Sequence, residues 1–349
     1  MTAGDHSDFQ THNGISSEQG RPRLVDFLQK TIAQQFAAQT TFIVAVSGGV
    51  DSMSLLHLLT QIADYTFIIV SIDHSIRADS HEDISLVKTA ADKAGFSFYS
   101  EKAAVPSLAK QKRQGIEETA RDARYHILQK YKKQFHAAAI ITAHHQDDQL
   151  ETILFHLIRG SDLHGLIGME EFNQQDIFRP LLTIPKTELL AYAKLHQLTW
   201  REDSTNIDTE FSRNHIRHHL LKEFPPELIL QAKEQAHIMI SQLNLLVTTW
   251  KARELKNSIN GLTFSRKSFL TLPIYIQFYL LQDFTKTIFK LRDYSFSWLS
   301  GMYQWLQQSH SGSSYTHRHR ILMRQEKGNV TLIYSSDRSA DDLEDRISQ

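Results

Sequence analysis

Ser47-Gly-Gly-Val-Asp-Ser52 places two hydroxyls, two glycines and a carboxylate within six residues. Gly48 and Gly49 let the backbone turn sharply without a Cβ clash, so that successive N–H groups, that of Val50 included, point inward. Such a nest at the start of a helix holds an anion. The helix's orphan N–H groups and positive dipole end add to the field, and Ser47 and Ser52 offer hydroxyls, as a phosphate or pyrophosphate requires. Asp51 is the discordant member. A carboxylate inside a phosphate cradle repels its ligand unless a cation bridges them, which points to Mg²⁺ at Asp51. Read otherwise, the glycines form a tight turn and Asp51-Ser52 a helix N-cap. Neither the Gly-x-x-x-x-Gly-Lys-Ser/Thr nor the Gly-x-Gly-x-x-Gly spacing is present.

A second constellation is His144-His-Gln-Asp-Asp-Gln-Leu-Glu-Thr152. On a helix opening at His144, that residue, Asp147 or Asp148, and Glu151 share one face, with Leu150, Leu154 and Leu157 on the buried side. Gathered carboxylates at a strand end hold Mg²⁺ or an ammonium, or act as a general base; Asp147 and Glu151 are the best placed and Asp148 points partly away. Acidic residues also simply favour a helix N-terminus. Arg121 and Arg124 lie on one helix flank, able to neutralise a phosphate or a carboxylate or to pair with Glu117 and Glu118. Arg159-Gly160 and Arg179-Pro-Leu181 set basic points beside turns. Glu202-Asp-Ser-Thr-Asn206 and Ser212-Arg-Asn-His-Ile-Arg217 form a donor-rich loop before a basic helix.

These residues need elements to position them. Thr41 to Val46 reads as a buried strand and Met53 to Ala63 as a helix, so Ser47–Ser52 is a strand-to-helix turn. Further strands are expected at Phe67 to Asp73, Phe96 to Glu101 and Ala138 to Ala143, with helices at Leu24 to Ala38, Glu82 to Ala94 and Ile116 to Phe135. Strands alternating with helices imply right-handed crossovers and a parallel sheet covered on both faces. Ligands of such sheets sit beyond the carboxyl ends of the strands, where the clusters at Ser47, Asp73-His74-Ser-Ile-Arg77 and His144 all fall. Beyond residue 220, Leu228, Ala232, Ala236, Met239, Leu243, Val247 and Trp250 make a long amphipathic stripe. Helices follow at Leu270 to Phe289 and Phe296 to Gln307, then a hairpin at Tyr315 to Met323 and Asn329 to Tyr334.

The 349 residues are 41% apolar and 22% charged, a globular balance of one to three domains. No apolar run is long enough for a membrane span and the first twenty residues lack an apolar signal core, so a cytoplasmic protein is expected. The chain has no cysteine, which excludes disulfides, thiolate metal sites, iron–sulfur clusters and persulfide chemistry. The net charge of −1 hides an asymmetry: residues 1–206 carry 20 Lys+Arg against 25 Asp+Glu, and residues 207–336 carry 16 against 9. A basic second part suits a polyanion partner.

The Ser-Gly-Gly-Val-Asp-Ser stretch resembles the pyrophosphate loop of the ATP pyrophosphatase superfamily, which cleaves ATP between its α and β phosphates to activate a substrate oxygen. Taken in order, the motifs at 47–52, 73–77, 118–125, 144–152, 159–160, 179–181 and 203–217 are similar to those of the tRNA(Ile)-lysidine synthetase family. That resemblance implies an α/β, Rossmann-like catalytic domain at 22–220, after an extension at 1–21 expected to be disordered. A smaller, mainly helical tRNA-binding domain at 221–336 and an acidic tail at 337–349 follow. It implies ATP and Mg²⁺ as cofactors, a CAU-anticodon tRNA(Ile) and L-lysine as partners, no membrane, and room for a homodimer. The activity implied is ligation of lysine to C2 of the wobble cytidine. The site residues implied are Ser47 to Ser52, Asp73, His74, Arg77 and His144 for the nucleotide, and Asp51, Arg121, Asp147 and Glu151 for catalysis. Asp147, Glu151, Arg159, Arg179, Asp203, Asn206, Arg213, Asn214 and Arg217 would hold the substrates. Two other readings stay open: a nucleotide-dependent RNA-binding protein without chemistry, and a pyrophosphate-loop ligase acting on a small molecule.

Overall fold

A computed structural model describes residues 20–75, 79–161, 163–201, 216, 221, 224–258, 261–288, 296–317 and 321–334. They form two compact units, divided between Lys233 and Glu234. Of the expected extension at 1–21 only Gly20 and Arg21 are described, and the tail at 337–349 lies outside the described residues.

In the first unit, β1 (Thr41–Ala45), β2 (Thr66–Asp73), β3 (Ser97–Lys102), β4 (Ala139–Ile141) and β5 (Ile177–Phe178) pair in parallel in the order β3-β2-β1-β4-β5. The central strand is covered on both faces, which is why it reads as an unbroken apolar run. Phe42 and Val44 join one core with α1 (Gly20–Gln35) and α2 (Val50–Leu59). Ile43 points the other way, into a core with Val70, Ile140 and Leu128 of α5 (Ile116–Gln134). From β1 the chain winds outward through β2 and β3, then returns to lay β4 on the opposite side. The loops leaving β1 and β4 therefore flank the crevice where the winding reverses, the usual ligand position in such sheets.

The other helices of this unit among the described residues are α3 (Ser80–Ala94), α4 (Val105–Lys112), α6 (Gln146–Ile158), α7 (Leu163–Ile167) and α8 (Lys186–Leu195). The two-residue β5 was not expected, being too short to show a period. Leu157, expected in the core, is 45% exposed, while Leu150, Ile153 and Leu154 are buried with Ile216 and Ile229. The apolar side of α6 is thus rotated toward Ile153.

The second unit combines α9 (Pro226–Glu254, which begins before the dividing point), α10 (Arg266–Leu270), α11 (Ile274–Asp283) and α12 (Phe296–Gln308) with an antiparallel sheet. Its order is β6-β7-β10-β9-β8, from β6 (Lys256–Ser258), β7 (Gly261–Ser265), β8 (Ser314–His317), β9 (Ile321–Glu326) and β10 (Asn329–Tyr334). The helix expected at Phe296 to Gln307 is α12, whereas the one expected at Leu270 to Phe289 is interrupted at 271–273, so that α11 begins after Pro273. The strand expected at Tyr315 to Met323 is divided into β8 and β9, and the hairpin is formed by β9 and β10. Strands β6 and β7 extend the sheet, the polar Lys-Asn-Ser of β6 carrying no strand pattern. Trp250, Phe264, Phe269 and Phe284 pack edge-on and tilted in its core. The buried stripe of α9 runs through Ile229, Ala236, Ile240, Val247 and Trp250. Leu228 and Met239, placed on that stripe by the sequence reading, are 58% and 49% exposed; each adjoins another apolar residue, so one-residue shifts fit the period equally well.

Candidate active site

Val46 ends its strand run by donating to Val70 O, and the chain then turns through Ser47 to Gly49 into α2. Gly48 has φ +91°, a left-handed conformation that an L side chain adopts only under strain. Gly49 is the N-cap of α2 and provides no side-chain cap. Asp51 and Ser52 lie inside the helix, so the N-cap reading of that pair does not hold. Ser52 Oγ donates to Gly49 O at 3.0 Å and accepts from Ser47 N at 3.2 Å, with Ser47 Oγ 3.3 Å away. The two serines thus brace the loop while the first turn of α2 keeps N–H groups for a ligand.

A cavity of about 470 Å³ opens over this turn. Ser47, Gly49, Asp51 and Ser52 line one side, His74 and Ser75 from beyond β2 another, and Thr142, His144 and Asp148 from beyond β4 a third; Arg124 and Tyr125 of α5 close it. Val50 opens α2 beside it. Asp73, expected to touch the nucleotide, instead accepts from Ser75 N and Ser80 Oγ, both at 2.7 Å. Partial burial raises its pKa, but these hydrogen bonds outweigh that and hold it below the usual carboxylate value. It ties Ser75 to Ser80 at the start of α3.

The β4 end differs from expectation in three respects. The helix opens at Gln146, so His144 lies in the preceding turn, where its Nδ1 meets Thr142 Oγ1 at 2.7 Å. Burial, with the charges of Arg179, Arg124 and Arg121, holds its pKa well below the ordinary imidazole value and so favours the neutral ring. His145 is the N-cap and forms a capping box with Asp148. Asp148, not Asp147, faces the cavity; Asp147 accepts from Lys186 N at 3.0 Å and so anchors the start of α8. Helical spacing alone cannot assign these directions, because the capping box fixes the rotation of the first turn.

His145 joins the two motifs. Its Nε2 is 3.4 Å from both Asp51 Oδ2 and Asp148 Oδ2. Burial lowers its pKa, but the hydrogen bond to Asp51 and the neighbouring carboxylates together raise it. Lys186 Nζ stands 3.8 Å from the same Asp51 oxygen. Neither His145 nor Lys186 was singled out in the sequence; the only signal for Lys186 was its place directly after Pro185 at a helix start. Glu151 is 4% exposed on α6, one turn beyond Asp148.

Three arginines surround Tyr125: the guanidiniums of Arg121 and Arg124 lie 5.3 and 5.4 Å from its ring centroid, and Arg179 faces it. Arg179 is 4% exposed and donates to Glu170 O at 2.7 Å. Arg159 is not brought to this group. It stacks 4.1 Å over Phe155 at the far end of α6, roughly 16 Å along the axis from Asp148 at the helical rise. Arg77, Asp203, Asn206, Arg213, Asn214 and Arg217 lie outside the described residues.

Among the described residues, no group of three or more His, Cys, Asp and Glu side chains is gathered to hold a metal on its own. Asp51 and Asp148 nonetheless offer two carboxylates at the cradle, and one or two carboxylates plus phosphate oxygens are the usual Mg²⁺ ligands. The donor set therefore fits a Mg²⁺ shared with a bound nucleotide. Among the described residues, no helix is long and apolar enough to cross a membrane.

Comparison with known proteins agrees with this geometry. Residues 22–224 match a family of ATP-binding domains described as the PP-loop domain. A tRNA(Ile)-lysidine synthase of Thermosipho africanus is 33% identical over 248 residues, covering 70% of this chain and 56% of that protein. The protein of the same name from Chlorobaculum tepidum is 34% identical over 200 residues, covering 56% and 60%. The counterpart from Nitrosomonas europaea is 36% identical over 187 residues, covering 51% and 39%. The chain thus spans about half the length of the curated relatives it matches. The solved structure of the U34-tRNA thiolase NcsA from Methanococcus maripaludis shares the fold, with a TM-score of 0.54 over 66% of this chain and 82% of that one, at 17% identity. With more than half of its residues inside the matched region, the chain belongs to the PP-loop domain family.

Proposed function

We propose that this protein ligates L-lysine to C2 of the wobble cytidine, C34, of a CAU-anticodon tRNA(Ile), consuming ATP and giving lysidine, AMP and diphosphate in the cytoplasm. The observation that carries the reading is the meeting of the two strand-end motifs in one cavity, His145 standing 3.4 Å from both Asp51 and Asp148. The names of the relatives support it.

In the first step the C2 oxygen of the cytidine attacks the α phosphorus and diphosphate leaves. The backbone of Ser47 to Val50 cradles the leaving phosphates, and the capless N-terminus of α2 stabilises their growing charge. Mg²⁺ held by Asp51, with Asp148 beside it, would neutralise those phosphates when bound. In the second step the ε-nitrogen of lysine attacks C2, the C2–O bond breaks and AMP leaves. The incoming ammonium, with a pKa near 10.4, must be bound and then lose a proton to a nearby base. Glu151, one turn beyond Asp148, takes that role here, since Asp147 is engaged with α8 and Asp148 with His145. Arg121, Arg124 and Arg179 supply the positive charge for the adenylate phosphate or the lysine carboxylate, and residues 221–336 hold the tRNA body.

The test is turnover with ATP, labelled lysine and tRNA. Lysine should enter only tRNA bearing the CAU anticodon, with AMP formed in step. ATP–diphosphate exchange without RNA would instead indicate a small-molecule ligase, and ATP-dependent RNA retention without AMP a binding module.

A further inference from the structure

The phosphate loop has an acidic neighbour. Asp79, Glu82 and Asp83 all sit at the start of α3, and Asp83 lines the same cavity as Ser47 and Gly49. Its Cβ and carbonyl oxygen lie 3.5 and 3.6 Å from the point where a side chain on Gly48 would begin. Carboxylates favour a helix N-terminus, yet three of them beside a phosphate cradle oppose a polyanionic ligand. One residue meets all three. The Arg201 guanidinium pairs with Asp79, Glu82 and Asp83, the last at 2.7 Å from Nε. Asp79, though at the N-cap of α3, makes no cap hydrogen bond from its side chain, and its carboxylate turns to the arginine. The backbone N–H of Arg201 donates to Gly48 O at 3.0 Å, so the same residue touches the loop itself.

We infer that Arg201 is a positioning residue for the nucleotide: its charge offsets part of that of the three α3 carboxylates beside the loop, so that the cradle accepts a triphosphate. The inference rests on the loop being an ATP site. It separates from a purely structural role because substitution removes the guanidinium and leaves the backbone bond to Gly48. The arginine acts on phosphate charge and not on the nucleoside.

The experiment measures binding of ATP and of adenosine to the full chain by calorimetry. Arg201→Gln should weaken ATP by about tenfold or more and leave adenosine within about twofold. Adding Asp79→Asn and Glu82→Gln to that variant should return ATP to within about threefold of the parent, since only Asp83 then stays charged and the cluster is no more negative than the parent's. Unchanged ATP affinity in Arg201→Gln, or equal losses for ATP and adenosine that the added substitutions do not restore, would overturn the inference. Should Arg201→Gln fail to fold, the Asp79→Asn/Glu82→Gln pair in the Arg201 background decides: ATP should bind as well or more tightly, and weaker binding refutes the role. A parent chain that binds adenosine but gains nothing from the phosphates removes the ATP reading, and the inference with it.

Discussion

Asp51 lines the cavity over the phosphate loop, whereas Glu151 is buried on α6 one turn beyond Asp148 and is not among the lining residues, and the proposed reaction gives the two carboxylates different work. Asp51 is on the phosphate side, among Lys186, His145 and the start of α2. Asp51→Ala should therefore cost adenylation roughly a hundredfold or more, the size expected when charge stabilisation of a leaving diphosphate is lost. ATP–diphosphate exchange in the presence of tRNA measures it, and a loss of under tenfold would exclude the role. Glu151→Gln should let AMP reach the tRNA and stall lysine addition, so that adenylated tRNA accumulates on a gel. If Glu151→Gln blocks adenylation as severely as Asp51→Ala, both residues serve the phosphates and the division fails. Gly48 shows how backbone enters the same chemistry: a Cβ there finds ordinary room, but φ +91° makes Gly48→Ala costly by about 1–2 kcal/mol, borne by the loop that must hold phosphate.

At the scale of elements, α6 positions more than its first turn. Gln149, fully buried, donates to Ile167 O at 2.9 Å and Met169 O at 3.0 Å and accepts from Met169 N at 2.7 Å. It thereby fixes the segment whose Glu170 carbonyl receives the Arg179 guanidinium. Gly168, at φ +68°, packs so closely that a Cβ would fall 2.7 Å from Gln149 Oε1. Gly168→Ala should lower stability by about 1–3 kcal/mol through overpacking and left-handed strain, read as a shift in urea midpoint with unchanged slope. Helices α2 and α8 are joined by His57, whose Nδ1 meets Tyr192 Oη at 2.7 Å, with the ring of His196 4.8 Å away. Burial and the charge of His196 lower the His57 pKa below 6.5. The unfolded chain then binds the proton first as pH falls, so this stability is whole above about pH 6.5 and is lost as pH falls toward the folded value. His57→Gln should shrink the loss of Tm between about pH 7.5 and 5.5, and an unchanged loss would clear His57 of the effect. The sequence showed the strands and the loop because buried parallel strands and Gly-Gly turns leave local signatures. It did not show Gln149, His145 or Arg201, whose partners lie 18 to 20 residues away, across a capping box, or 118 to 122 residues away.

Over the whole molecule, charge is divided by segment: residues 207–336 hold 16 basic and 9 acidic side chains, the rest being net acidic. That excess was legible from composition, but which cations are available to a polyanion was not, because pairing is a property of the fold. Lys251 is 2.7 Å from Asp283. Arg266 donates to Leu306 O and Gln307 O at 2.7 and 2.6 Å, closing the last carbonyls of α12 as a capping cation does. Lys256 and Lys267 are exposed, as is Arg253, which pairs with its neighbour Glu254. If this unit carries tRNA through its phosphates, binding should weaken steeply with salt, and each phosphate that the protein no longer neutralises should flatten the slope of log affinity against log salt by about 0.7 to 0.9. Charge reversal at Lys256, Lys267 or Arg253 should therefore reduce affinity and slope together while leaving Tm in place. Arg266→Glu should do the converse, lowering Tm because two helix-terminal carbonyls lose their donor and meet a carboxylate, with a slope little altered in the fraction that remains folded. Filter binding across a salt series, paired with melts of the same preparations, separates the two groups. An Arg266→Glu protein that melts like the parent but loses slope would move Arg266 into the RNA surface, and reversals at Lys256 and Lys267 without effect on slope would take tRNA off this face.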